Sequence, residues 1–162
     1  MKLESLSDVF EAELKDLYSA EQQLVDALPT IANAASSPEL KQAIESHLKE
    51  TQGHVKRLEQ VFDTVGIPAE SEHCDGMEGL LSEGSEVAKA SGNGEARDAA
   101  LIGAAQRVEH YEIAAYGTVR TLAQQLGQDE AADLLNQTLD EESAADEKLT
   151  EIATGSVNAS AR

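Results

Sequence analysis

Glu21, Glu50, Glu109, Glu112, Glu142 and Asp146 fall near the middles of four long stretches of helical periodicity, on or beside a stripe that is otherwise apolar. Burying an unpaired carboxylate is costly, so a chain that does this repeatedly at one level must neutralise the charge. In helix bundles the usual neutraliser is a pair of metal ions held by Glu and His from facing helices. His47 precedes Glu50 by three residues and His54 follows it by four, so either imidazole could share an ion with it. Carboxylates bridge two cations and lower their repulsion, while a neutral imidazole favours iron or manganese over calcium.

Helical phase supports these placements. Glu21 follows Leu14 and Leu17 by seven and four residues and so lies on their stripe. Glu112 sits four after Val108 and seven before Val119, with Glu109 one step round. Glu142 sits three after Leu139 and seven before Leu149, and Asp146 follows it by four. Glu50 lies on the flank of the Ile44–Leu48–Val55 stripe. The alternative to metal is a buried network in which Arg107, Arg120 or tyrosine hydroxyls satisfy the acids, or plain surface exposure for Asp146.

Four long helices must position these groups. The first starts at a Ser cap, Ser5 or Ser7, and runs to about Ala32, with Pro29 expected to bend or end its last turn. Ser36-Ser37-Pro38-Glu39 opens the second, which Gly66-Ile67-Pro68 stops. A connection too long for a tight turn follows, with a short extra helix from Met77 to Ala90. The third long helix spans Glu95 to about Leu126, capped by Gly127, and the fourth spans Asp129 to about Ala153. Two short connections and one long one give two antiparallel hairpins joined by a crossover, the ferritin-like topology. Residues 1–155 read as one domain and residues 156–162 as a frayed tail. In antiparallel neighbours of similar length the midpoints, at about 19, 51, 111 and 141, share one height at ~1.5 Å per residue.

Composition agrees with an all-α fold. Of 162 residues, 41% are hydrophobic but only 3% aromatic, with no Trp, which is the palette of packed helices. A net charge of −19 argues against a basic nucleic-acid surface and favours cations as partners. The single cysteine, Cys74, excludes an intramolecular disulfide and fits a reducing, cytoplasmic setting. No stretch reaches the length of a membrane span. Tyr18, Tyr111, Tyr116 and Asp16 could hydrogen-bond the acids or simply pack. His73-Cys74-Asp75 in the crossover could bind a metal on its own, but three adjacent residues without further ligands are a weak signal.

The runs Asp16-Leu-Tyr-Ser-Ala-Glu21, His47-Leu-Lys-Glu-Thr51, Val108-Glu-His-Tyr-Glu-Ile113 and Thr138-Leu-Asp-Glu-Glu142 resemble the YciE/YciF family of ferritin-like proteins. The likeness extends from about residue 3 to 155. It implies a four-helix bundle with an additional helix, a homodimer, a link to stress responses and, by kinship to rubrerythrins and ferritins, a dinuclear metal centre. The Glu-x-x-His of those relatives is missing: Glu50 is followed three on by Gly53, and Glu142 by Ala145.

The resulting expectation is a carboxylate-rich centre of two iron ions, or manganese, that oxidises Fe(II) with O₂ or peroxide or decomposes peroxide. Glu21 and Glu109 would be terminal ligands, Glu50 and Glu142 would bridge, and His47, Glu112 and Asp146 would complete the set. The rival expectation is a non-catalytic stress or structural protein whose carboxylates only stabilise the bundle.

Overall fold

Ser5 begins the first helix as a reciprocal cap: its side chain accepts from the Asp8 N–H, and the Asp8 carboxylate accepts from the Ser5 N–H. In the computed structural model, which describes residues 2–162, the helix so started is α1, Leu6–Ala34. It runs through Pro29 to Ala34, so the proline does not end it; Leu28 and Ala32, buried on either side, hold the last turns in place.

Helix α2, Pro38–Val65, has Pro at its first position and the Ser37 side chain accepting from the Leu40 N–H. Gly66 closes it in the left-handed conformation, φ 75°, with its N–H on the Phe62 and Asp63 carbonyls. The crossover contains α3, Asp75–Ala88, and leads to α4, Gly94–Gln125, and α5, Asp129–Ile152. Gly127, φ 71°, makes the tight α4–α5 turn.

Helix α1 packs on α2 and α4 on α5, and these hairpins meet along α2–α5 and α1–α4. Ser36 and Ser37 at the α1–α2 turn donate their N–H groups to Asp98 near the start of α4, at 2.9 and 2.6 Å. Helix α4 therefore starts where α1 ends and runs antiparallel to it. The crossover must carry the chain back along the bundle, and α3 does so packed against α1 and α4. This is the all-α ferritin-like bundle with one long crossover.

The tail differs from expectation. A π-helical segment, Ala153–Val157, continues α5 into a last short helix, α6, Asn158–Ser160. The extra residue per turn rotates Val157 inward, where it is buried with Ile152, while Asn158–Ser160 stay exposed.

The core falls into two apolar clusters. One holds Phe10, Leu14, Leu17, Leu58, Phe62, Tyr116 and Leu135; the other holds Leu24, Leu28, Ile44, Leu101, Val108 and Leu149. Between them, at mid-height, lies a band of buried polar side chains. Among the described residues no helix is long and apolar enough to cross a membrane.

Candidate metal centre

Every long helix contributes to this band: Glu21 from α1, His47 and His54 from α2, Glu109 and Glu112 from α4, and Glu142 from α5. Glu21, His54, Glu112 and Glu142 are fully buried, Glu109 is 3% exposed and His47 9%. On α2 the buried stripe reads His47, Thr51, His54, Leu58, at spacings of four, three and four. Thr51 keeps its hydroxyl on the His47 carbonyl, leaving the middle of the stripe to the two imidazoles, two turns apart.

The donor atoms form two groups within 4.8 Å that share one member. One comprises His47, Glu109, Glu112 and Glu142; the other comprises Glu21, His54 and Glu142. His47 Nε2 lies 3.4 Å from Glu109 Oε1 and 4.0 Å from Glu142 Oε2. His54 Nδ1 lies 3.4 Å from Glu21 Oε1 and 2.9 Å from Glu142 Oε1, close but without hydrogen-bond alignment. Glu142 thus turns one oxygen toward each histidine.

Four carboxylates and two imidazoles are the donor inventory of ferritin-like dinuclear sites, differently distributed. Here both imidazoles come from one helix and two of the acids from another, which is why no Glu-x-x-His appears.

The residues fit a pair of cations. Glu21 Oε2, Glu109 Oε2, both oxygens of Glu112 and of Glu142, both nitrogens of His47 and Nδ1 of His54 are buried without a hydrogen-bond partner. Among the described residues no Lys or Arg pairs with any of these acids. Arg120 binds Asn136 instead, and Arg107 is exposed. So many orphaned donors in one spot are unusual for a packed interior and are what a ligand set looks like without its ion.

The electrostatics agree. Burial pushes the Glu109 carboxyl up to about 8 and Glu112 well above the carboxylate range. Burial also raises Glu21. For the histidines burial opposes the charge, yet Glu50, Glu109 and Glu142 lift His47 to about 9, and Glu142 with Glu21 lifts His54 to about 10. Burial thus favours the protonated form of these acids, and the neighbouring acids favour the protonated form of the imidazoles.

Two expected ligands are placed elsewhere. Glu50 is one residue short of the buried Thr51 position, a rotation of about 100° that leaves it half-exposed. It approaches His47 Nδ1 at 3.7 Å but joins neither group. Asp146 turns toward α4, where it accepts from Gln106 at 3.0 Å and lies 3.3 Å from His110. His54, weighed only as an option beside His47, is the fully buried member instead.

Outside the ligands, Tyr116 donates its hydroxyl to Glu21 Oε1. Burial and Glu21 keep that phenol protonated far above its ordinary range. His54 Nε2 meets Glu141 Oε2 at 2.8 Å, and Arg57 grips both oxygens of Glu141 at 2.7 and 3.1 Å while also donating to Thr138. This carboxylate–imidazole pair fixes the ring so that Nδ1 faces the site. Sequence reasoning missed Glu141; its place beside Glu142 and the Arg three after His54 were the available signals. Tyr18 binds Glu59, and Tyr111 binds Asp16 and Cys74, so neither touches a ligand. His73, Asp75 and Glu78 cluster on the exposed surface, whereas Cys74 is buried.

A family model described as a domain of unknown function, DUF892, matches residues 5–162. The chain belongs to the DUF892 family. It is 49% identical over 159 residues to protein YciF of Escherichia coli strain K12, covering 98% of this chain and 96% of YciF. The crystal structure of that E. coli stress protein superposes with a TM-score of 0.93 over 96% of this chain and 99% of the other. YcfI from Rhodopseudomonas palustris, to which a structural role is ascribed, is 40% identical with a TM-score of 0.89 over 92% and 95% of the two chains. A Xanthomonas campestris protein at 22% identity, TM-score 0.73 over 96% and 94%, shares the fold. The resemblance to YciF read from the sequence is borne out over nearly the full chain.

Proposed function

We propose that this DUF892 protein holds two iron ions, with manganese as the alternative, and oxidises Fe(II) with O₂ or peroxide, or decomposes peroxide, under cytoplasmic stress. The observation that carries the reading is the set of buried, unpartnered oxygens and nitrogens divided into two groups by one shared carboxylate. His47, Glu109 and Glu112 would hold one ion, Glu21 and His54 the other, and Glu142 both. When bound, a redox-active pair would supply two electrons in one place, enough to reduce a peroxide with two protons to two waters.

The protein's own groups complete that chemistry. Glu141 and Arg57 hold the His54 ring, and Tyr116 holds Glu21 from the opposite side. Glu109 carries a proton at neutral pH and releases it when a cation takes its oxygen. The Phe10–Phe62–Tyr116 cluster packs one side of the band densely and excludes bulk water there. A homodimer, which the family resemblance implies, belongs to the same proposal and is checked by light scattering.

A second reading has its own support: YcfI carries a structural ascription, and protons can balance the acids without metal. Mass spectrometry of metal per chain, followed by peroxide-dependent Fe(II) oxidation against free iron, separates the two. About two ions per chain with turnover above free iron is expected. Bound metal without turnover favours the structural reading, and no metal after anaerobic Fe(II) loading sinks the centre itself.

A further inference from the structure

The two halves of the bundle are filled very differently. One half is packed with Phe10, Phe62, Tyr18, Tyr116 and leucines. The other half, on the far side of the polar band, holds a partly open cavity of about 560 Å³. All five long and crossover helices wall it: Leu28 of α1, Ala43 of α2, Leu81 of α3, Ala105 of α4 and Ala145 of α5 are among its lining. At those places alanine leaves room where the opposite half carries rings. Protein interiors hold few voids larger than a water, and unfilled ones cost stability. A void of this size falls in the range of small-molecule sites, about 300–1,000 Å³.

Its ends are chemically distinct. The inner end reaches His47 and Glu109, whose buried ring nitrogens and Oε2 have no partner. The exposed lining residues come from α2 and α5, so the mouth lies between these helices; there Glu39 and Glu50 face Lys148, while Glu141 is already paired with Arg57. Two carboxylates against one ammonium, on a chain of net charge −19, disfavour an anionic head group.

We propose that this cavity binds one uncharged, predominantly apolar small molecule per chain and presents it at His47 and Glu109, beside the metal centre. The walls need no metal; only the placement beside the ions rests on the metal reading. A recessed, partly open cavity walled by five helices suits a small molecule better than a second copy, which would need a flat patch.

The test is a titration with N-phenyl-1-naphthylamine, a neutral apolar fluorophore, into the full chain with and without metal. Saturable binding at one per chain is expected in both forms. The anionic 8-anilinonaphthalene-1-sulfonate should bind at least about tenfold more weakly, a factor worth ~1.4 kcal/mol. Ala105→Leu and the mouth variant Ala144→Phe should each weaken the neutral probe by a similar factor, with metal content and melting cooperativity as in the parent. Co(II) loading, verified by mass spectrometry, should quench the bound probe. Absent saturable binding, equal affinity in both filled variants, or preference for the anionic dye overturns the proposal. So does binding that appears only when light scattering shows a dimer dissociating, since a second copy then fills the space. Bound probe left unquenched by loaded Co(II) overturns the placement. Failure of Co(II) to load counts against the centre alone, and the metal-free titration still decides the cavity.

Discussion

Glu141 Oε2 stands 2.8 Å from His54 Nε2, while its chain neighbour Glu142 places Oε1 2.9 Å from Nδ1 of the same ring. Consecutive residues of α5 thus hold opposite edges of one imidazole. Only Glu142 is fully buried; Glu141 faces solvent in part and is itself tied by Arg57. Such an outer carboxylate sets ring orientation and ligand basicity, and its loss typically costs about 10–100-fold in metal affinity. Glu141→Ala should therefore weaken the ion held by Glu21 and His54 by that factor and spare the one held by His47, Glu109 and Glu112. Dialysis against a graded chelator, with metal counted per chain, reads this as stepwise loss of one ion. Glu50→Ala should keep both. Retention of both ions by Glu141→Ala would show that His54 is oriented by something else.

Glu112 distinguishes a functional acid from a structural one. It is fully buried and neither of its oxygens has a partner. An unsatisfied buried polar group costs about 1–3 kcal/mol, and an apolar replacement of similar volume removes that penalty. Metal-free Glu112→Leu should be more stable than metal-free parent by about that amount in urea unfolding, yet bind less metal. A stabilising network would give the opposite sign, with Glu112→Leu less stable in the absence of any ion.

How much of this was legible in the sequence follows from helical phase. Glu21, Glu109, Glu112 and Glu142 lie on long apolar stripes whose register a single sequence displays, and the structure brings them together. On α2 two overlapping stripes compete, and one step of about 100° separates exposed Glu50 from buried Thr51. Glu50, read on the flank of the Ile44–Leu48–Val55 stripe, stays half-exposed beside His47, while His47 and His54, seven apart, mark the buried stripe. Asp146 shows the same limit on α5, where four residues past Glu142 already turns the side chain onto the α4 seam. The π-helical turn at Ala153–Val157 breaks the 3.6-residue pattern, so nothing in the spacing signals that Val157 returns to the core. The cavity was illegible for another reason: alanine on a helix face serves close packing and open space equally.

Asp98 is a long-range example of the same blindness, because its partners lie more than sixty residues earlier in the chain. It is 1% exposed and accepts the N–H groups of Ser36 and Ser37, pinning the α1–α2 turn to the start of α4. Hydrogen bonds to a charged group contribute about 1.5–3 kcal/mol each. Asp98→Ala should lower unfolding stability by about that much, leaving two backbone donors without their acceptor, while metal per folded chain stays at the parent value. Denaturant melts with metal counting check both halves. A loss of metal without a loss of stability would mean that the turn positions the site rather than the fold.

The final prediction is a pair of opposite pH slopes. In the metal-free protein Glu109 titrates at about 8, and His47 and His54 at about 9 and 10, each above its unfolded value. Groups raised on folding bind more protons in the native state than in the unfolded one, so their stabilisation is complete below the unfolded pKa and is lost as pH climbs through the folded one. For Glu109 the loss runs from its ordinary value of 4.5 to about 8; for the histidines it runs from 6.5 to about 9 and about 10. Metal-free protein should accordingly become steadily less stable between about pH 6 and 9. Metal binding has the reverse dependence, because each ion must displace protons from the same Glu109, His47 and His54. Metal affinity should rise over that window, with protons released on binding, so that the loaded protein gains in melting temperature relative to the metal-free form as pH increases. Calorimetric titration in two buffers of different ionisation enthalpy counts the protons, and thermal melts from pH 6 to 9 give the slopes. Parallel slopes for the two forms, or binding with no proton release, would show that these three groups do not meet the ions.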